Sequence, residues 1–201
     1  FLRLGKVRGG ASDPFALLDR LIPVYAELLC ALADAGAEWV QVDEPCLVRN
    51  LDGAAVRAYR DAYRVLGTLD HGPRILLTSY FGGLHENLSL ATQLLVDGIH
   101  VDLVRCPEQR RAVCDALPEG WVLSAGVVDG RNVWRNDLER SLDALEAIAA
   151  QIGREQLWVA PSCSLLHVPV DLGLERDGDP EVLAWLAFAR QKLGEVRALA
   201  T

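Results

Sequence analysis

The chain has 201 residues, 51% of them apolar, and a formal net charge of −8. That is the size of one domain, or part of a larger one, with the balance of a globular chain. The charge argues against nucleic acid or a membrane surface held through bulk electrostatics, so an anionic ligand needs a local basic pocket.

Short Val/Ile/Leu-rich runs alternate with longer helical patterns along the chain. Asp13 before Pro14 opens a first helix that runs to about Ala35, with Pro23 as a kink and Gly36 as the stop. Strands are predicted over 38–42, 74–80, 98–104, 121–127 and 156–160, short and apolar as strands buried on both faces should be. Between the fourth and fifth, Asn136 with Glu139 opens a helix whose Leu138, Leu142, Leu145, Ile148 and Ile152 mark one face, and Gly153 ends it. Asp179-Pro180 opens the last helix, with Leu183, Leu186 and Leu193 set to pack on a core. The alternation implies parallel strands, either in an eight-stranded barrel or in an open doubly wound sheet. Both gather their chemistry at the carboxyl ends of strands.

The first strand ends in Asp43-Glu44-Pro45. Adjacent strand residues point to opposite faces, so the two carboxylates do not share one site; a salt bridge and a loop cap explain them as well as ligand binding does. Tyr80-Phe81-Gly82-Gly83 follows the second strand, either as a close backbone approach to an anion or as a tight turn. In the third, alternation puts His100, Asp102 and Val104 on one face and Arg105 on the other, where it holds a carboxylate ligand or pairs with Glu108. After the fourth, Asp129-Gly130 makes a turn and Arg131, Asn132, Trp134 and Arg135 cluster in one loop, a composition suited to an interface or an anionic ligand. After the fifth, Cys163 and His167 are four residues apart, read as a metal site, a Cys-His nucleophile or plain core packing. Cys46 and Cys106 stand at other strand ends, which leaves a three-thiol site open. The five cysteines are odd in number and form no Cys-x-x-Cys pair, and there is no secretion signal, so the reading is of reduced thiols in the cytoplasm. No apolar run approaches the roughly 18 residues of a membrane span. Phe1 and the absence of Met lead us to expect further chain upstream.

Leu4-Gly5-Lys6, the run from Glu38 to Pro45, Tyr80-Phe81-Gly82-Gly83, Val127-Val128-Asp129-Gly130-Arg131-Asn132, the run from Trp158 to Pro169, and Trp185-Leu186-Ala187-Phe188-Ala189-Arg190-Gln191-Lys192 together resemble the N-terminal domain of cobalamin-independent methionine synthase. The resemblance implies residues 1–201 to be a partial (β/α)8 TIM-barrel domain, an α/β fold holding strands four to eight with the first three missing. It implies part of a methyltransferase moving a methyl group from 5-methyltetrahydrofolate polyglutamate to homocysteine, with a C-terminal catalytic domain as partner and zinc in that domain. By itself the piece is expected to be inactive and to bind no cofactor, nucleic acid or membrane. The positions matching the catalytic barrel's zinc ligands are Thr78, Tyr80, Asp102 and Cys163, a set short of usable ligands. Cys46 and Cys106 stand where the family commonly has Ala, so the resemblance makes them incidental. Cleft-lining candidates are Asp43, Glu44, Tyr80, Asp102, Arg105, Asp129, Arg131, Asn132, Trp134, Cys163 and His167. A different class of role, a non-catalytic docking module for a catalytic barrel, uses the same residues.

Overall fold

The computed structural model describes residues 2–5 and 13–201; Phe1 and Lys6 lie outside the described residues. Five strands, β1 (Trp39–Asp43), β2 (Arg74–Thr78), β3 (Gly98–Asp102), β4 (Val122–Val128) and β5 (Leu157–Pro161), form a parallel sheet whose order follows the chain. The strand predictions are therefore met within about two residues at each end. The middle strands are buried almost throughout, while β1 and β5, at the two ends of the order, are only half-buried. The fold is α/β, and the chain divides into two units: Phe1–Ser79 with Leu84–Ile99, and Tyr80–Gly83 with His100–Thr201.

In the first unit, Asp13 Oδ1 accepts the Phe15 amide (2.9 Å), and Pro14–Leu17 makes one 3-10 turn before α1 (Leu18–Asp34). Pro23 lies inside α1, and Gly36 past its end takes φ 93°, a conformation that costs glycine least. Strand β1 pairs with β2 from Trp39↔Arg74 to Asp43↔Thr78. Helix α2 (Gly53–Leu66) is capped by Asp52, whose Oδ1 accepts the Ala55 amide (2.8 Å). A 3-10 turn and the single-turn α3 (Leu88–Ala91) follow β2. Leu29, Leu47, Tyr63, Ile75, Leu77 and Leu90 are among the buried side chains.

The second unit holds α4 (Gln109–Ala116), α5 (Leu138–Ile152), α6 (Pro180–Leu183) and α7 (Ala189–Leu199) around β4 and β5, with Val113, Leu123, Ala125, Leu145, Ile148 and Phe188 buried. Three expectations are corrected here. The cap of α5 is Asp137, not Asn136: Asp137 Oδ1 accepts the Arg140 amide (3.0 Å), while Asn136 Nδ2 donates to Ser141 Oγ (2.8 Å). Ser141 Oγ in turn donates to the Val127 carbonyl (3.3 Å), which turns position 141 inward beside Leu145 and Ile148 and leaves Leu138 and Leu142 exposed. The last helix is two pieces. Trp134 and Leu186 form an antiparallel bridge, with the Arg135 amide on the Trp185 carbonyl (2.9 Å) and the Ala187 amide on the Val133 carbonyl (2.8 Å). Backbone spent on that bridge cannot continue a helix, so the chain restarts at Ala189, and Leu193 is exposed instead of packed.

Candidate functional site

The polar groups of the second unit are organised by Asp102. Its carboxylate is almost fully buried (1% exposed) and accepts three backbone amides: Phe81 (3.0 Å), Val104 (3.0 Å) and Arg105 (2.8 Å). This is why β3 stops at Asp102 and not at Val104, and why the expected alternation beyond it fails. The segment from Leu103 to Arg105 is a turn. Arg105 lies exposed, and its expected partner Glu108 instead accepts from the Cys106 thiol (3.1 Å). Burial and Glu108 together push that thiol up to about 11.

The amide held by Asp102 fixes Phe81 at φ 71°, an uncommon left-handed conformation for a bulky residue. Residues 79–81 therefore leave the strand, which was expected to reach Tyr80. Phe81 presents its ring to three neighbours: Tyr80 edge-on at 4.7 Å, His167 edge-on at 5.4 Å, and the Arg131 guanidinium 4.6 Å from the ring centre. An aromatic with a cation on its face and an imidazole at its side thus forms at loops from three strand ends. Sequence reasoning misses Phe81 as a site residue, because no sequence signal marks a left-handed phenylalanine.

The loop after β4 is held by its own side chains. Asp129 accepts the Arg131 amide (2.7 Å) and the Asn132 side-chain amide (2.8 Å), so its partner is the backbone of Arg131 and not the guanidinium. Asn132 Oδ1 accepts the Trp134 amide (3.1 Å) and the ammonium of Lys192 (3.2 Å), which also donates to the Trp134 carbonyl (2.9 Å). Lys192 is fully buried, and desolvation lowers its pKa. Sequence reading missed it, since a lysine on a terminal helix normally marks the solvent face. Gly130 is required by close approach: a Cβ there would stand 2.7 Å from the Cys163 carbonyl oxygen and 2.9 Å from its sulfur. The loop leaves Arg131 exposed and Trp134 half-exposed.

Cys163 is buried, and burial pushes its thiol up. Its only close acceptor among the described residues is the Ser164 carbonyl at 3.8 Å, while His167 is engaged with Phe81. A Cys-His nucleophile is not assembled. No group of three or more His, Cys, Asp or Glu among the described residues is placed to hold a metal ion. The donors at the matching positions do not fit zinc either, since the Asp102 oxygens are committed to backbone amides and Thr78 and Tyr80 offer neither imidazole nor thiolate. His100, buried beside them, lies 2.9 Å from Ser124 Oγ and 3.3 Å from the Ser162 carbonyl.

In the first unit, Asp43 and Glu44 have different surroundings. Gln41 Nε2 donates to Asp43 Oδ1 (2.7 Å) at the exposed side, while Glu44 turns inward and accepts the hydroxyls of Tyr59 (3.0 Å) and Tyr63 (3.1 Å) from α2. Burial raises the pKa of Glu44, partly offset by those two hydroxyls, and burial beside Glu44 raises both tyrosines. Asp43 and Glu44 line an apolar cavity of about 160 Å3 with Tyr59, Tyr63 and residues of α1.

Comparison with known proteins places this arrangement. Residues 1–153 match the model of the cobalamin-independent synthase N-terminal domain. The chain is 54% identical over 202 aligned residues to a 5-methyltetrahydropteroyltriglutamate–homocysteine methyltransferase of Xylella fastidiosa (strain M23), and 49% identical over 199 to that of Nitrobacter winogradskyi. It is covered 100% and 99% by the two alignments and spans 26% of each relative's length. Its fold is similar to a B12-independent methionine synthase from Shewanella sp. W3-18-1 solved with selenomethionine, with a TM-score of 0.69 at 15% identity, covering 94% of this chain and 55% of that one. No helix among the described residues is long and apolar enough to cross a membrane. On the family match, the chain belongs to the cobalamin-independent synthase N-terminal domain family.

Proposed function

We propose that residues 1–201 are the later two-thirds of the N-terminal barrel domain of a cytoplasmic methyltransferase, which moves a methyl group from 5-methyltetrahydrofolate polyglutamate to homocysteine and makes methionine. The carrying observation is 54% identity along the whole chain to a relative named for that reaction. In this reading the sheet supplies strands four to eight of an eight-stranded barrel, and a parallel sheet whose order follows the chain supports it. The partner is a C-terminal catalytic domain. There a zinc ion, when bound, supplies the activation of the homocysteine sulfur. The role of this chain is to shape and close the cleft. Asp102 and Asp129 set the loop backbones, Tyr80, Arg131, Asn132, Trp134 and His167 form the wall that meets folate or the partner domain, and Arg105 stands at the rim. Cys163 packs beneath Gly130 as a core residue, and Asp43 and Glu44 border the neighbouring strand end.

The test is a methionine assay on the full-length protein its gene encodes, with zinc, 5-methyltetrahydropteroyltriglutamate and homocysteine but no cobalamin. Methionine formation is expected, and none from residues 1–201 alone. A folded, zinc-loaded full-length protein that makes no methionine would overturn the reading.

A further inference from the structure

We infer that the cavity bounded by the loop after β4 and by α4, α5 and α7 binds a compact oxyanion carrying two or more negative charges, a phosphate group or paired carboxylates. This goes beyond the methyl-transfer reading and does not depend on it. The cavity measures about 290 Å3 and lies wholly within the second unit. That is near the lower end of small-ligand sites, roughly 300–1,000 Å3, and too small for a docked protein segment of any length.

Its charge runs against that of the chain. The net charge is −8, yet Arg110, Arg135, Arg140 and Lys192 all line this one cavity. None of the three guanidiniums has an ion pair or side-chain hydrogen bond among the described residues, although elsewhere five arginines are paired with carboxylates. The carboxylates that line the cavity are already used: Asp129 holds the Arg131 amide and Asn132, and Asp137 caps α5. Glu195, one turn beyond Lys192, accepts the Asn136 amide through Oε1, while its buried Oε2 has no hydrogen-bond partner among the described residues, so its charge and that of Asp129 both act on Lys192. The fourth cation is the best evidence of a built site. Lys192 is fully buried, its ammonium has three donors, and only two find acceptors, Asn132 Oδ1 and the Trp134 carbonyl. Asp129 and Glu195 offset part of the cost of burying that charge, and an oxyanion held by the three guanidiniums would add to them. Guanidiniums present paired donors that match phosphate and carboxylate oxygens.

The experiment is calorimetric titration of the full-length protein with inorganic phosphate and, separately, with citrate. The variants are Arg110→Gln and Arg140→Gln, with Arg111→Gln as control, because Arg111 pairs with Asp115 and does not line the cavity. The parent is expected to bind at least one probe saturably. Each cavity variant should weaken that binding about tenfold or more at unchanged melting temperature, and the control should match the parent. Whichever probe loses affinity identifies the ligand chemistry as phosphate or carboxylate. No saturable binding to the parent, equal binding by the cavity variants, or an equal loss in Arg111→Gln would each overturn the inference.

Discussion

Each unit buries a strand-end carboxylate, and the two are satisfied by different kinds of partner. Glu44, just past β1, accepts hydroxyls from two tyrosines one helical turn apart on α2. Asp102, the last residue of β3, accepts three backbone amides from two loops. Side-chain partners tie a helix to a strand and leave the backbone as it was. Amide partners dictate the backbone itself, and here they hold Phe81 in a left-handed conformation that costs about 1–3 kcal/mol. The difference separates a carboxylate that fastens elements from one that shapes loops. Only the second kind sits beneath the residues that face outward, Phe81, Arg131 and His167.

The largest expected effect comes from removing the loop-shaping carboxylate. Asp102→Ala leaves three amides without their acceptor and releases Phe81 from its strain, for a net loss of roughly 3 kcal/mol in urea denaturation. A loss below about 1 kcal/mol would mean that water replaces the carboxylate easily, and the distinction between the two units would fall.

How far the sequence could carry this picture depended on which interactions are local. Apolar runs bounded by turns locate all five strands, and Asp13, Gly36 and Gly153 mark helix ends through rules that act within a few residues. Failures fall where a distant group competes. Strands β2 and β3 end early because Asp102 captures amides on either side of it, 21 residues back in one case. The last helix breaks because the backbone of Val133 and Arg135 pairs with it from some 50 residues away. Strand alternation predicts that Asp43 and Glu44 do not share a site, yet both line one cavity, since Glu44 already lies past the end of β1. The partners of Glu44 were not legible, because Tyr59 and Tyr63 lie on the next helix. Of the cleft candidates, the structure brings Tyr80, Arg131 and His167 together around Phe81. Lys192 could not be foreseen, since only the fold buries it.

A smaller effect tests the outward face. Arg131→Ala removes a guanidinium stacked on Phe81, an exposed cation–π contact worth about 0.5–1 kcal/mol to folding. If the loop meets folate or the partner domain, methyl-transfer kcat/KM in the full-length protein should fall by the equivalent of roughly 1–3 kcal/mol while the melting temperature barely moves. Unchanged kinetics beside a lowered melting temperature would make the loop structural and leave the outward face of the second unit without a role.

The smallest effect concerns protons, and it belongs to the first unit. Burial raises the pKa of Glu44 above its ordinary value. A carboxyl with a higher pKa folded than unfolded binds more protons in the folded state. Its contribution to stability is therefore complete below about pH 4.3, the unfolded value, and is lost as pH rises through the folded one. Glu44→Gln removes the titration, keeps an oxygen to accept from one tyrosine, and should flatten the melting temperature across mildly acidic pH relative to the parent. Tyr63→Phe should act in the opposite direction. The Tyr63 hydroxyl favours the charged carboxylate, so its loss raises the Glu44 pKa further and moves the fall in stability to higher pH. Two curves of identical shape for the parent and Glu44→Gln would show that Glu44 titrates as an exposed group does. The inward, tyrosine-bound carboxylate would then no longer distinguish this unit from the other.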